Sequence, residues 1–137
     1  KSKEIKFLGL NILPPLDSLE ILSRFILQTN WFSSSENRVK YAAFLPDKNG
    51  ETSVFRTSGI TNNEIWEIGD CEVSIKRGKP ILGRADIGTN NVISKDLEVV
   101  LREPPLRHAN IIGWPDERSK QKIIAIELAS ESLLHKR

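Results

Sequence analysis

Apolar positions along the chain recur with different spacings, and each spacing predicts a different element. From Leu19 the intervals are three and four (Leu19, Leu22, Phe25, Ile26, then Thr29), which predicts an amphipathic helix over 18–29 with Ser23 and Gln28 on its wet face. Asp17-Ser18-Leu19-Glu20 has the spacing of a capping box for its start. The segment 39–45 is β-branched and aromatic and stops at Pro46-Asp47-Lys48-Asn49-Gly50, so it predicts a strand that returns through 52–57 as a first hairpin. Thr61-Asn62-Asn63-Glu64 is a second capping box, opening a short helix through Ile68 that Gly69-Asp70 ends.

The next segment, 71–77, has two readings. As a helix it carries Glu72 into the apolar face of Ile65, Trp66 and Val73; as a strand, Val73 and Ile75 alternate with Glu72, Ser74 and Lys76. The alternation favours the strand, turned by Arg77-Gly78-Lys79-Pro80 into a second hairpin with 81–87. Gly88-Thr89-Asn90-Asn91 is expected as a loop and 97–102 as a further strand, with Val99 and Leu101 on one face, ended by Pro104-Pro105. Trp114-Pro115-Asp116-Glu117 opens the last helix, since proline fits a first turn and the acidic pair suits the positive end of the helix dipole. Ile124, Ala125, Leu128, Ala129 and Leu133 give it an apolar arc to about Leu134, against a competing buried strand over 122–126. Ahead of Leu13-Pro14-Pro15, segment 3–11 is expected as an edge strand or an arm, so that 1–15 stands apart. Together these elements predict one α+β domain over 1–137, a mainly antiparallel sheet of about five strands with two to three helices on one face.

Composition narrows the classes of function. A chain of 137 residues buries roughly two-thirds of its unfolded surface without metal or disulfide. A net charge of +2 and a pI of 8.8 fall short of the excess that marks a nucleic-acid binder by composition alone. Cys71 is the only cysteine, which excludes an internal disulfide and a cysteine zinc cage and favours a reducing, cytoplasmic setting. No apolar run has the roughly 18 residues of a membrane span. Methionine is absent, even at position 1, so arguments from the chain's ends carry little weight.

Candidate chemistry centres on 106–115, where Arg107, His108, Asn110 and Trp114 lie between the proline pair and the last helix. If this stretch is extended, His108 and Asn110 share a face, pairing a group that titrates near neutrality with an amide that holds its tautomer or a ligand. Arg56, Ser58 and Gly59 sit where a strand runs into a turn and a helix start, a place for backbone N–H groups and an arginine to meet phosphate. Arg84 and Asp86 share a strand face and suit either a polar ligand or each other. Trp114 and Trp31 offer surfaces for stacked bases, or buried anchors. Lys76, Arg77 and Lys79 form a basic set on the second hairpin turn.

The motifs of P-loops, nucleophile elbows, zinc peptidases and dinucleotide folds are missing, and with two histidines no histidine metal cage is expected; only a carboxylate site for magnesium stays open. The expected function is therefore a cofactor-free, non-catalytic module that binds a phosphate-bearing ligand, RNA or DNA first, through Arg56, Ser58, Gly59, Arg84, Asp86, Arg107, Asn110 and Trp114. Two other readings stand beside it. One is a metal-independent phosphoester enzyme with His108 as general acid or base, and the other is a protein-binding subunit that uses Trp114 and the last helix.

Overall fold

The computed structural model describes residues 5–7 and 10–137, with side chains from Leu13 onward. Its strands are β1 (Ile5–Phe7), β2 (Leu10–Ile12), β3 (Ile21–Ile26), β4 (Phe32–Ser33), β5 (Arg38–Val39), β6 (Thr52–Arg56), β7 (Gly83–Gly88), β8 (Glu98–Leu101), β9 (His108–Ile112) and β10 (Leu133–Lys136). The α-helices are α1 (Asn62–Ile68), α2 (Ile75–Arg77), α3 (Thr89–Ile93) and α4 (Arg118–Glu131). Six strands form one sheet in the order β10-β7-β3-β6-β9-β8, every pair antiparallel. The α+β class and the mainly antiparallel sheet are thus as the sequence predicts. Of the arm expected over 1–15, part lies outside the described residues; within it β1 and β2 pair with each other.

Helices lie on both faces of the sheet. Leu22 and Ile26 of β3, Val54 of β6, Ala85 and Ile87 of β7 and Ala109 and Ile111 of β9 pack against Ala125 and Leu128 of α4. The other face carries Phe25 and Phe55, covered by Ile65 of α1 with Trp66, Ile68 and Val73 alongside. A sheet covered twice explains the first misreading. Strand β3 is buried on both faces, so its sequence loses the alternation of a half-buried strand and takes on a helical spacing by accident. The expected capping box is used otherwise: Asp17 Oδ1 accepts Leu19 N at 2.8 Å in a local turn, and Glu20 turns to Arg56.

Other expectations are corrected in the same way. The 39–45 strand is only β5 followed by a 3₁₀ turn, Tyr41–Ala43, so β6 pairs with β3 and β9 instead of closing a hairpin. The capping box at Thr61 and Glu64 is present in both directions. Gly69, however, does not end the helix. A Cβ there would lie 2.8 Å from the Phe25 ring, so glycine lets the helix approach the sheet, and the helix continues as a π segment, Gly69–Ser74, into α2. The extra residue per turn rotates Glu72 toward the surface, where it pairs with Lys76 at 3.7 Å. This replaces the strand expected over 71–77 and its hairpin. Gly78, with φ 65°, supplies the left-handed stop. The loop expected after Gly88 is the short helix α3. The last helix ends at Glu131 rather than near Leu134, with Ser132 Oγ donating to the Ala129 carbonyl, and the remaining chain becomes edge strand β10 beside β7.

Arg84 and Asp86 hold one end of the α1-covered face together. Arg84, 2% exposed, donates from Nε to both Asp86 oxygens at 3.1 and 3.2 Å and from Nη2 to Asn62 Oδ1 at 2.7 Å, and its guanidinium lies 4.6 Å over the Trp66 ring. Asp86 also accepts Ser23 Oγ at 2.6 Å and lies 3.3 Å from His135 Nε2, while Ser23 Oγ meets Thr57 Oγ1 at 2.8 Å. The network joins β10, β7, β3 and the end of β6 to α1. Removing Asp86 strands a buried guanidinium, so Asp86→Ala should cost about 3–5 kcal/mol in urea denaturation. Glu36→Ala, which breaks the exposed Arg38–Glu36 pair, should cost no more than about 0.5 kcal/mol. Equal losses would contradict this assignment of the network.

Candidate functional site

Along the α1-covered face the side chains change from charged to aromatic to polar. Beyond Arg84 and Asp86 come Phe25 and Phe55, whose rings meet edge-on at 5.9 Å, and then His108, 5.1 Å from Phe55. β9 is extended as expected, with Ala109 and Ile111 buried on the α4 side and His108 and Asn110 on the opposite face. Past the end of α1, the π segment and α2 stand off from this end of the sheet. Between them lies a cleft of about 290 Å³ lined by Ser53, Phe55, Pro105, His108 and Asn110 from the sheet side, Glu72, Val73, Lys76 and Arg77 from the helix, and Arg24 and Asp47 at one edge.

The imidazole on its floor is held in a defined state. His108 Nδ1 lies 2.8 Å from the Arg102 carbonyl oxygen, and Nε2 lies 2.9 Å from Ser53 Oγ. A carbonyl only accepts, so Nδ1 carries the proton; in the neutral ring Nε2 then has a free lone pair and Ser53 donates to it. Asn110 Nδ2 donates to Glu51 Oε1, while Asn110 Oδ1 is buried without a protein partner.

A second cleft of about 410 Å³ adjoins the first, with Trp31, Gln28 and Arg118 on its far side; Arg24, Asp47, Ser53 and Arg77 line both. At this waist Arg24 donates from Nε to the Ala43 carbonyl at 2.8 Å and from Nη1 to the Ser53 carbonyl at 3.0 Å, with its guanidinium 4.9 Å over Trp31. Burial, and after it the charge of Arg77, push the Arg24 guanidinium down to about 10, against a smaller upward pull from Asp47. It still carries its charge at neutral pH.

Of the residues expected to form a site, the structure brings His108 and Asn110 into this cleft and leaves the others elsewhere. Arg56, 2% exposed, donates to Glu20 Oε1 from Nε and Nη2 and to the Pro14 carbonyl, and Ser58 N donates to Glu20 Oε2 at 3.1 Å. Glu20 thus occupies the position expected for a phosphate, while Gly59 makes the turn with φ 77°. Arg84 and Asp86 face each other under α1. Arg107 is buried, donating from Nη1 to the Arg56 carbonyl at 3.2 Å and from its backbone N to Glu103. Trp114 packs against the α4-side core with Nε1 buried. Arg56, Arg84 and Arg107 therefore do not converge on an open pocket.

Sequence reasoning missed Arg24 and Ser53 as site residues. Arg24 was hidden by the helical reading of β3. Ser53 shares a face of β6 with Phe55, which the strand's period of two foretells, but its place opposite Asn110 is set by the β6–β9 pairing. Among the described residues, no group of three or more His, Cys, Asp or Glu side chains is arranged for a metal ion, and no helix is long and apolar enough to cross a membrane. No family model, curated protein or solved structure matches the chain. The tautomer is directly measurable: long-range ¹H–¹⁵N spectra at alkaline pH should show His108 protonated at Nδ1 and lone-pair-bearing at Nε2. The opposite pattern would contradict the Ser53–His108 hydrogen bond as drawn.

Proposed function

We propose that the joined clefts bind a phosphate-bearing ligand, with single-stranded nucleic acid as the ligand class. The observation that carries this reading is the waist, where Arg24 from β3 and Arg77 from α2 line both clefts, with Lys76 of α2 lining the first. Burial first, and the charge of Arg77 second, lower the proton affinity of Arg24, and a phosphate between the two guanidinium groups would relieve their repulsion. Three carboxylates, Asp47, Glu51 and Glu72, also line the joined clefts. Asp47 Oδ1 accepts the Asn49 and Glu51 amides of its own turn, and Glu72 is paired with Lys76.

Nucleic acid is favoured over a lone phosphate by the length and lining of the groove. From His108 and Asn110 it passes the waist to Trp31, a half-buried ring that Arg24 covers on one side, and a base would stack on the part of it that stays open, beside the phosphate contacts. Exposed, unpaired Cys71 fits a reducing compartment, and the proposed setting is the cytoplasm.

Lys76 and Arg77 are exposed, so their charge can be removed without opening the core. In fluorescence anisotropy with a short single-stranded oligonucleotide at low salt, the double variant Lys76→Gln, Arg77→Gln should bind at least about tenfold more weakly. Its slope of log affinity against log salt should flatten by about 1 to 2. Unchanged affinity and slope in the double variant would overturn the proposal.

A further inference from the structure

We propose that Ser53 is an activated nucleophile and His108 its general base, so that the cleft cleaves a phosphodiester of the ligand it holds. This rests on the preceding reading of the cleft as a phosphate site. Four observations carry it beyond binding. The Ser53 hydroxyl sits 2.9 Å from His108 Nε2, and the Arg102 carbonyl 2.8 Å from Nδ1 fixes that nitrogen as the protonated one. Nucleophile, base and orienting group thus stand in the order that nucleophilic catalysis needs, with a backbone carbonyl as the third member. The Phe55 ring, 5.1 Å from the imidazole, packs beside it, and Arg24 is bonded to the carbonyl of Ser53 itself, which places a cation next to the attacking residue.

The reaction is balanced with water as the only co-reactant. Ser53 Oγ forms a bond to phosphorus as its proton passes to His108 Nε2. The phosphorus–oxygen bond to the leaving nucleoside breaks, and that oxygen takes the proton back from Nε2. A water then gives a proton to His108 and its oxygen to phosphorus, Ser53 Oγ leaves with that proton, and a phosphomonoester and an alcohol are the products. Arg24 and Arg77 stabilise the charge on the non-bridging oxygens in both steps. A carbonyl orients the imidazole without the charge a carboxylate would set against imidazolium, so turnover is expected to be slower than that of a carboxylate triad.

The test treats the whole chain with a fluorophosphonate, from which Ser53 would displace fluoride, and reads intact mass and the modified peptide. The expected result is one adduct, at Ser53, absent in Ser53→Ala and formed at least about 100-fold more slowly in His108→Gln. An end-labelled single-stranded oligonucleotide should be cut by the parent chain and left intact by Ser53→Ala, with binding of the oligonucleotide by the parent chain read in parallel by anisotropy. No adduct, an adduct at another residue, an equal rate in His108→Gln, or an oligonucleotide bound but uncut would each overturn the proposal. If the parent chain does not bind the oligonucleotide, the reading of the cleft as a nucleic-acid site fails by itself. The fluorophosphonate result then still decides whether Ser53 and His108 form a reactive pair.

Discussion

The fold depends on a guanidinium that has been taken out of water. Arg84 lies on the face of β7 that α1 covers, and burying it requires a carboxylate and further acceptors at fixed positions. Asp86 on the same strand, Asn62 in the first turn of α1 and the Trp66 ring supply them, and Ser23 and His135 share the carboxylate. These partners come from three adjacent strands and a helix, so satisfying one charge sets how α1 crosses the sheet. Arg84 Nη1 remains buried without a protein partner, which makes the network sensitive to loss of any other member.

The position of the cleft follows from that crossing. Anchored at Asn62 and Trp66, α1 runs over Phe25, where Gly69 allows close contact, and the π segment then carries Lys76 and Arg77 out past β6. The end of the sheet nearest β9 is therefore left uncovered. His108, Ser53 and Asn110 remain accessible there, while equally polar side chains at the other end are sealed. Arg56 repeats the pattern of internal satisfaction, with Glu20 standing as the anion at the turn after β6. The buried arginines organise the structure, and the cations at the cleft are the half-buried Arg24 and the two exposed residues of α2.

Much of this was legible in the sequence where local rules dominate. The Thr61 capping box, the extended β9 with His108 and Asn110 on one face, the end of β8 before the proline pair and the antiparallel α+β class all follow from short-range patterns. What was not legible depends on tertiary context. β3 resembles a helix because both its faces are buried, and Gly69 resembles a stop because its role is to admit the Phe25 ring. The Arg56 turn looks open to phosphate because Glu20, its anion, lies 36 positions away along the chain. The candidate site was half visible: His108 and Asn110 stood out, whereas Ser53 and Arg24 acquire meaning only when β6 is set between β3 and β9.

A backbone-amide NMR titration of the whole chain with a short single-stranded oligonucleotide at low salt, with inorganic phosphate in parallel, tests most directly whether the Arg24–Arg77 waist is the phosphate site. Shifts are expected to concentrate at Arg24, Ser53, Arg77 and His108, to extend to Trp31 with the oligonucleotide, and to leave Arg56, Ser58 and Arg84 unmoved. Shifts centred on Ser58 and Arg84, or none at the Arg24–Arg77 waist, would contradict that assignment.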